Sequence, residues 1–402
     1  MRNNATSQYN MDASGSQQLF DDWDDISDSE FLNIPSEEQS IEPQCHLNSE
    51  SDGKHSVNFD SPCASTSSVH NRNEEALGQE TVNTLNVRGL KRKSLHENSF
   101  SPMQRFFKRH LSVTLLCDQS WCEMKTVYSL LKPFIKRKDM QRAEVQIGKE
   151  IHLSREREIQ DTVPVDIWTR EDAEAVKLLN MLHMISLLEA GERVREFPVF
   201  GVLEGVFVKG VIDELMYNQK GELVLNELKT RKQNSLPSFA QDKVNCLQVG
   251  LYKLLFDGLV RGEVKKDHVL NHLKLHSGQV LGAGVQAHAK SIGVLVTTFE
   301  ELVDALLITV SCSDLPCTDL LQIEYYHQGS SGPIGTRVAP FDEAQLRAEL
   351  QGHLAYWRGQ REPKGVDIEE AWKCKSCLYV QTCDWAKNRL HVSDQQADHA
   401  SS

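Results

Sequence analysis

The chain has 402 residues, 40% of them hydrophobic, and a formal net charge of −13. That is enough apolar material for one large domain or two ordinary ones, and the lack of any apolar run of about eighteen residues excludes a hydrophobic membrane helix. The acidity is local: residues 1–85 hold 16 Asp/Glu against Arg2, Lys54 and Arg72, which leaves the rest neutral overall, so the bulk charge does not exclude a nucleic-acid enzyme.

Residues 1–85 are rich in Ser, Asn, Gln, Asp and Glu and lack apolar periodicity, so they are expected to be disordered. Within them Leu19, Phe20, Trp23, Ile26, Phe31 and Leu32 are spaced among acids beside Ser27 and Ser29. This patch reads equally as a short partner-binding motif or as a solvated tail. The start lacks an apolar signal-peptide core and is too acidic for a mitochondrial presequence. A reducing compartment is expected, where the ten cysteines suit metal ligation or burial better than disulfides.

Residues 86–110 read as a basic linker. Lys91-Arg92-Lys93 has the composition of a nuclear import signal, with cytoplasm and mitochondrion as the alternatives. Arg105-Phe106-Phe107-Lys108-Arg109 suits phosphate contact and base stacking, or a basic helix lying on the core. A folded domain is expected over 111–390, followed by a second disordered tail over 391–402.

Inside that domain His152 sits on a polar, helical stretch. A helix is predicted over 170–190, with Thr169 as N-cap, Asp172 in capping-box spacing, and Ala175, Leu178, Leu179, Leu182 and Ile185 at helical intervals. Strands are predicted over 196–200, 206–216 and 223–230, separated by turns that contain Gly. Further helices are predicted over 239–260 and 342–357.

The second and third strands carry the most informative pattern. If Gln219-Lys220-Gly221 forms a three-residue hairpin loop with Gly221 in the left-handed position, Asn218 pairs with Glu222 and the register brings Asp213 opposite Glu227. Opposed residues have Cβ atoms about 4.5–5.5 Å apart. Two carboxylates so placed repel unless a cation lies between them, and Mg²⁺ or Mn²⁺ favours oxygen ligands. Lys229 leaves the same strand face as Glu227, where an amine can orient the attacking water and stabilise charge on phosphorus. Gln248 and Tyr252, four residues apart, share a face of the following helix, and Glu196 begins the preceding strand. Taken alone, the hairpin also reads as a solvent-facing pair of strands with alternating charges.

Cys374, Cys377 and Cys383 place three thiols within ten residues near the C-terminus. They need a fourth ligand to close a zinc site or a cubane cluster. Cys122 is the preferred fourth and Cys117 its neighbouring competitor. Spacing alone does not separate zinc from iron–sulphur.

Gly148 to His152, Glu196, Asp213, Glu227-x-Lys229 and Gln248-x-x-x-Tyr252 resemble, in order, the motifs of RecB-like nucleases of the PD-(D/E)XK superfamily. With one cysteine before that core and three after it, the chain resembles the iron–sulphur subset. Ser112-Val113-Thr114, Trp121-Cys122-Glu123 and Glu227-Leu228-Lys229-Thr230-Arg231 look most like the exonuclease V family. The resemblance covers roughly residues 100–390. It implies an α/β fold, a restriction-endonuclease-like mixed sheet core flanked by helices, with an iron–sulphur clamp. It also implies a [4Fe–4S] cluster on Cys122, Cys374, Cys377 and Cys383. By similarity His152, Glu196, Asp213 and Glu227 would hold Mg²⁺ with the Leu228 carbonyl assisting, and Lys229 would serve the water. Gln248, Tyr252 and Arg231 would position DNA. The implied activity is Mg²⁺-dependent hydrolysis of single-stranded DNA from free ends, in DNA repair and genome maintenance. A structure-selective endonuclease on the same fold and a non-catalytic DNA-binding module are the alternatives. No Gly-x-x-x-x-Gly-Lys-[Ser/Thr] loop is present, so no helicase motor of that kind is expected. The expected assembly is a monomer without membrane association, with the acidic tail a candidate contact for a single-strand-binding protein.

Overall fold

A computed structural model describes residues 100–159 and 163–388. The expectations for the acidic tail, its apolar patch, Lys91 to Lys93 and the 391–402 tail lie outside the described residues.

The described chain opens with a single helical turn, α1 (Pro102–Arg105), capped by Ser101. The basic stretch that follows is not a helix: Arg105 ends α1, and Phe107 turns the chain at φ 51°. Residues 100–110, expected within a linker, pack on the core through Met103 and Phe106, which are partly buried against it despite their basic neighbours.

Next come β1 (Leu111–Ser112), α2 (Val113–Trp121), α3 (Glu123–Leu131), α4 (Pro133–Met140), α5 (Ala143–Arg157) and α6 (Arg170–Glu189). Ser112 caps α2 by accepting from the Leu115 N–H. Thr169 and Asp172 form the predicted capping box of α6, which satisfies N–H groups that lack partners within the helix. The strands β2 (Val194–Leu203), β3 (Val206–Tyr217) and β4 (Leu223–Arg231) follow, and then α7 (Phe239–Val260), α8 (Lys266–Leu273), α9 (Ala283–Ser291) and α10 (Phe299–Cys312). The chain closes with β5 (Leu320–His327), β6 (Gly332–Val338), α11 (Glu343–Trp357) and a 3₁₀ segment, Ile368–Ser376.

The six strands form one mixed sheet. β1 runs parallel to β3 and β4 parallel to β5, while the β2–β3, β3–β4 and β5–β6 pairs are antiparallel. The predicted β3–β4 register is observed, with Glu214 opposite Asn226 and Tyr217 opposite Leu223. Turn chemistry sets it. Gly221 takes φ 78°, and the Asn218 carboxamide accepts from the Lys220 and Glu222 N–H groups, closing the loop in the one geometry that pairs Asn218 with Glu222.

One topological feature positions the site. β2 pairs with β3 from Val206 to Leu215 and so occupies one edge of β3. The other edge is divided between β1 at Val208 and Lys209 and β4 from Glu214 onward. β1 and β4 therefore diverge like the prongs of a fork, and Asp213 lies in the opening. Helices cover both faces. Gln248, Asn245 and Asp242 of α7 bond to Glu227, Lys229 and Tyr325 on one face. On the opposite face Arg155 of α5 pairs with Glu324, and Gly148 lies so close to Thr230 that a Cβ there would meet its hydroxyl at 2.8 Å.

The core is continuous from α2 through α6, α7 and α10 to α11, with Phe197, Phe207, Phe256, Phe299 and Trp357 almost fully buried. Each such side chain contributes about 1.5–3 kcal/mol relative to exposure. The two ends of the domain are joined by aromatic contacts: Trp121 meets Trp372 edge-on at 5.8 Å, Tyr128 stacks on Tyr379 at 6.3 Å, and the Lys373 amine lies 4.4 Å above the Trp121 ring.

Candidate active site

Three carboxylates line up across three strands. The β2–β3 register, interrupted between Arg195–Glu214 and Phe197–Ile212, sets Glu196 across from Asp213, and continuing the β3–β4 register sets Glu227 on the far side of Asp213. Glu196 adopts φ 53° in mid-strand, a conformation that costs a residue with a Cβ about 1–3 kcal/mol and is concentrated at functional sites. Asp213 Oδ2 accepts from the Leu228 N–H at 2.7 Å. His152 reaches the fork from α5, its Nδ1 3.5 Å from Asp213 Oδ1 and 3.8 Å from Glu196 Oε1. Ligand atoms of His152, Glu196 and Asp213 all lie within 4.8 Å of one another.

Behind this trio, α7 supplies a hydrogen-bonded cage. Lys229 Nζ donates to Glu227 Oε1 at 2.8 Å and to Gln248 Oε1 at 2.6 Å. Gln248 Nε2 donates to Glu227 Oε1 at 2.8 Å and to the Tyr252 hydroxyl at 3.0 Å. Tyr252 packs against Gly210, where a Cβ would stand 2.6 Å from the ring, so glycine is required at that position. Glu227 Oε2 is buried without a hydrogen-bond partner, and an ionised acceptor left unpaired is costly.

The electrostatics point the same way. Burial and the adjacent Asp213 charge push the Glu227 carboxyl well up, against the pull of Lys229. Burial opposes ionisation of Asp213 too, but His152 and Lys229 hold its carboxyl below the ordinary range. Burial would lower His152, yet Asp213 and Glu196 push it up to about 10. These carboxylates thus draw positive charge to themselves, and the protonated imidazole answers part of that demand. A divalent cation would satisfy the same demand more fully: the ligand atoms of His152, Glu196 and Asp213 fit a hard metal ion, and the orphaned oxygen of Glu227, a carboxyl that feels the Asp213 charge, is a further unmet acceptor.

The fork opens into a cleft of about 1100 Å³. Gly148, His152 and Thr230 line it from the α5 side and Gln248 and Tyr252 from the α7 side. Arg142, Lys149 and Lys232 line its walls, Arg142 and Lys232 in ion pairs with Glu144 at 3.7 and 2.8 Å, and Glu156, one helical turn beyond His152, faces it as well. Burial and then Glu196 push the Glu156 carboxyl up to about 7. These wall residues have no sequence signature beyond their spacing from His152 and Lys229. Arg231 is not brought to the cleft: its guanidinium donates to the Ser235 carbonyl at 2.7 Å and approaches Gln241 at 3.4 Å, tying down the loop before α7.

Five of the described cysteines fall in two environments. Cys122, Cys374, Cys377 and Cys383 are free thiols, with Cys374 in electrostatic reach of the other three and Cys122 in reach of Cys377 and Cys383. Cys374 is pushed up to about 11 by burial and then by the other three, and burial followed by crowding from Cys377 and Cys383 raises Cys122. Cys117 lies elsewhere, buried in α2 beside the charges of Lys229 and Glu227. A group of thiols of which Cys122 and Cys374 resist ionisation is a donor set that a cation would stabilise as thiolates. Beside them Glu123 accepts from Arg361 at 2.7 Å, from the Lys364 N–H at 2.7 Å and from Gln119 at 3.0 Å, which holds α3 against the C-terminal segment.

Comparison with known proteins adds an independent finding. Residues 101–224 and 283–386 match the family model described as "Exonuclease V - a 5' deoxyribonuclease". The chain is 79% identical over 392 residues to "Exonuclease V" of Danio rerio, covering 98% of this chain and 99% of that protein. A viral relative, "Uncharacterized protein ORF95" of Ostreid herpesvirus 1, is 28% identical over 87 residues, 21% of this chain and 28% of its own length. Among solved structures, one titled "Crystal structure of SSO0001" matches 71% of this chain and 93% of its own, at 13% identity and a TM-score of 0.36.

Proposed function

The chain belongs to the exonuclease V family and is a DNA-cleaving hydrolase, and from that premise we propose that it removes nucleotides from a free end of single-stranded DNA, the 5′ end by the family's description, with a divalent ion held by His152, Glu196, Asp213 and Glu227. The observation that carries this reading is the row of three carboxylates at the strand fork, with a lysine bonded to one of them and a buried oxygen of that same carboxylate left unpartnered.

Bound there, Mg²⁺ or Mn²⁺ would polarise the scissile phosphate and lower the pKa of the attacking water. The residues of the chain do the rest. Asp213, fixed by the Leu228 N–H, and Glu227, fixed by Lys229 and Gln248, keep their oxygens in place without reorganisation. Lys229 orients the attacking water and offsets the negative charge that develops on phosphorus. Gln248 and Tyr252 form a polar wall against which a nucleotide is held, and Arg142, Lys149 and Lys232 attract the strand's phosphates into the cleft. This arrangement supports assignment to the PD-(D/E)XK nucleases.

The grouped, unpaired thiols of Cys122, Cys374, Cys377 and Cys383 support a [4Fe–4S] cluster that clamps the ends of the domain. A nuclear role in DNA repair, monomeric action and a contact between the acidic tail and a single-strand-binding protein complete the proposal on the strength of the sequence.

The test is digestion of linear and circular single-stranded oligonucleotides, labelled at either end, with and without Mg²⁺. Mg²⁺-dependent loss of the linear strand with the circle intact is the expected result. Cleavage of the circle would identify an endonuclease instead, and binding without cleavage would reduce the chain to a DNA-binding module.

A further inference from the structure

On the sheet face opposite the three carboxylates runs a second row, displaced by one residue on each strand. Arg195 precedes Glu196, Glu214 follows Asp213 and Asn226 precedes Glu227. They are paired in register, Arg195 with Glu214 and Glu214 with Asn226. Arg195 Nε donates to Glu214 Oε1 at 3.1 Å with a second nitrogen at 3.0 Å, and Asn226 Nδ2 donates to Glu214 Oε2 at 3.0 Å. All three are buried, with exposures of 7%, 6% and 4%. A cavity of only about 10 Å³, lined by members of both rows with His152 and Arg155, lies between them; that is roughly the room of one water.

We propose that Arg195, Glu214 and Asn226 are positioning residues that set the separation of Glu196, Asp213 and Glu227 and thereby the affinity of the divalent-ion site. The inference rests on the metal-site reading given under Proposed function. Glu214–Asn226 is the last rung of the β3–β4 ladder before the fork opens, and Asp213 is the first residue beyond it. Three carboxylates on one face repel one another, and the free edges at the fork offer little resistance. The doubly bonded Glu214 carboxylate resists that separation because a buried ion stripped of a partner is more costly than the small rotation it prevents. Arg195 also holds the strand at the strained Glu196 backbone. The row reaches His152 as well: Arg195 lies 3.9 Å from Glu158 at the end of α5, and Arg155 of the same helix makes paired bonds of 2.7 and 2.6 Å to Glu324.

Groups that orient metal ligands from behind typically change metal affinity by about 10–100-fold when removed. The test is Mn²⁺ titration of the full-length protein by the loss of the free-ion electron paramagnetic resonance signal, alongside the melting temperature measured without metal. Asn226→Ala is expected to weaken Mn²⁺ binding by at least about 10-fold. The Mg²⁺ concentration for half-maximal cleavage should rise in parallel, while the rate at saturating metal changes less. Asn226→Ser, which keeps a short donor, should lie between that variant and wild type; it serves alone if the alanine variant does not fold. A lowered melting temperature with wild-type Mn²⁺ affinity in either variant would make the row purely structural and overturn the proposal. Asp213→Asn separates the two levels. If it binds Mn²⁺ as tightly as wild type, the ion sits elsewhere and the metal-site reading fails together with this inference.

Discussion

The backbone N–H of Leu228 donates to the Asp213 carboxylate at 2.7 Å, at the point where β3 and β4 part. A side chain there takes the place of the next ladder bond. The exchange holds the fork open, turns one Asp213 oxygen toward β4, and leaves the other 3.5 Å from His152 Nδ1. Asp213 thus links the sheet's hydrogen bonding to His152 at the mouth of the cleft.

Asp213→Ala is therefore expected to reduce Mg²⁺-dependent cleavage by more than the roughly 100-fold loss that follows removal of an outer partner of a metal ligand. Affinity for single-stranded DNA, measured by fluorescence anisotropy without metal, should persist or rise, because a negative charge leaves the cleft. Activity within tenfold of wild type would count against Asp213 as a ligand.

Lys229→Ala removes the amine between Glu227 and Gln248. A loss of about 10²–10⁴-fold in the single-turnover cleavage rate is expected, the range typical of a group that assists proton transfer. Mn²⁺ affinity should change far less than the rate, and a pure affinity effect would assign Lys229 to holding Glu227 alone.

Gly210→Ala inserts a methyl group into the Tyr252 ring and against Val113, whose nearest side-chain atom lies 3.1 Å from the new Cβ. The strain is expected to cost about 1–3 kcal/mol of stability and to displace Gln248 through its bond to Tyr252. Pairing it with Tyr252→Phe, which keeps the ring but not the hydroxyl, separates the two effects in thermal melts and rate measurements.

Asp172 is expected to give stability a pH dependence away from the cleft. Burial would raise its carboxyl, but N–H donors from Gly282, Trp168 and Thr169 hold it below its ordinary value of 3.8. Its folded value lies below its unfolded one, so its stabilisation is complete above the ordinary value and is lost as pH falls through the folded value. Asp172→Asn should lower stability near neutrality by about 1–2 kcal/mol, as for loss of a helix cap. It should also flatten the acid limb of the melting temperature against pH, and an unchanged acid limb would contradict this assignment.

Cys374→Ala removes one of the four clustered thiols. If the cluster closes the domain, ligand loss is a loss of folding energy, and lower solubility and melting temperature are expected. Anaerobically prepared wild-type protein should be brown, with a band near roughly 400 nm as for iron–sulphur centres. Zinc without iron on elemental analysis of that preparation would replace the iron–sulphur assignment.

Local chemistry carried much of this architecture. A three-residue loop, Gln219 to Gly221, with glycine in its left-handed position and Asn218 capping it, determined the β3–β4 register, and Thr169 with Asp172 marked the start of α6. A spacing of four residues set Gln248 and Tyr252 on one helix face. Such signals act within a few residues, where backbone geometry leaves few options. What connects distant segments has no local signature. The division of one β3 edge between β1 and β4, the approach of His152 to Asp213 across the fork, the left-handed backbone of Glu196 and the buried row behind the carboxylates arise only when the core closes. The same closure set Cys122, not Cys117, beside Cys374, Cys377 and Cys383, and turned Arg231 to the Ser235 loop. Those placements depend on which apolar faces of α2, α5 and α7 exclude water together, a balance made across the whole domain and not within any one stretch of it.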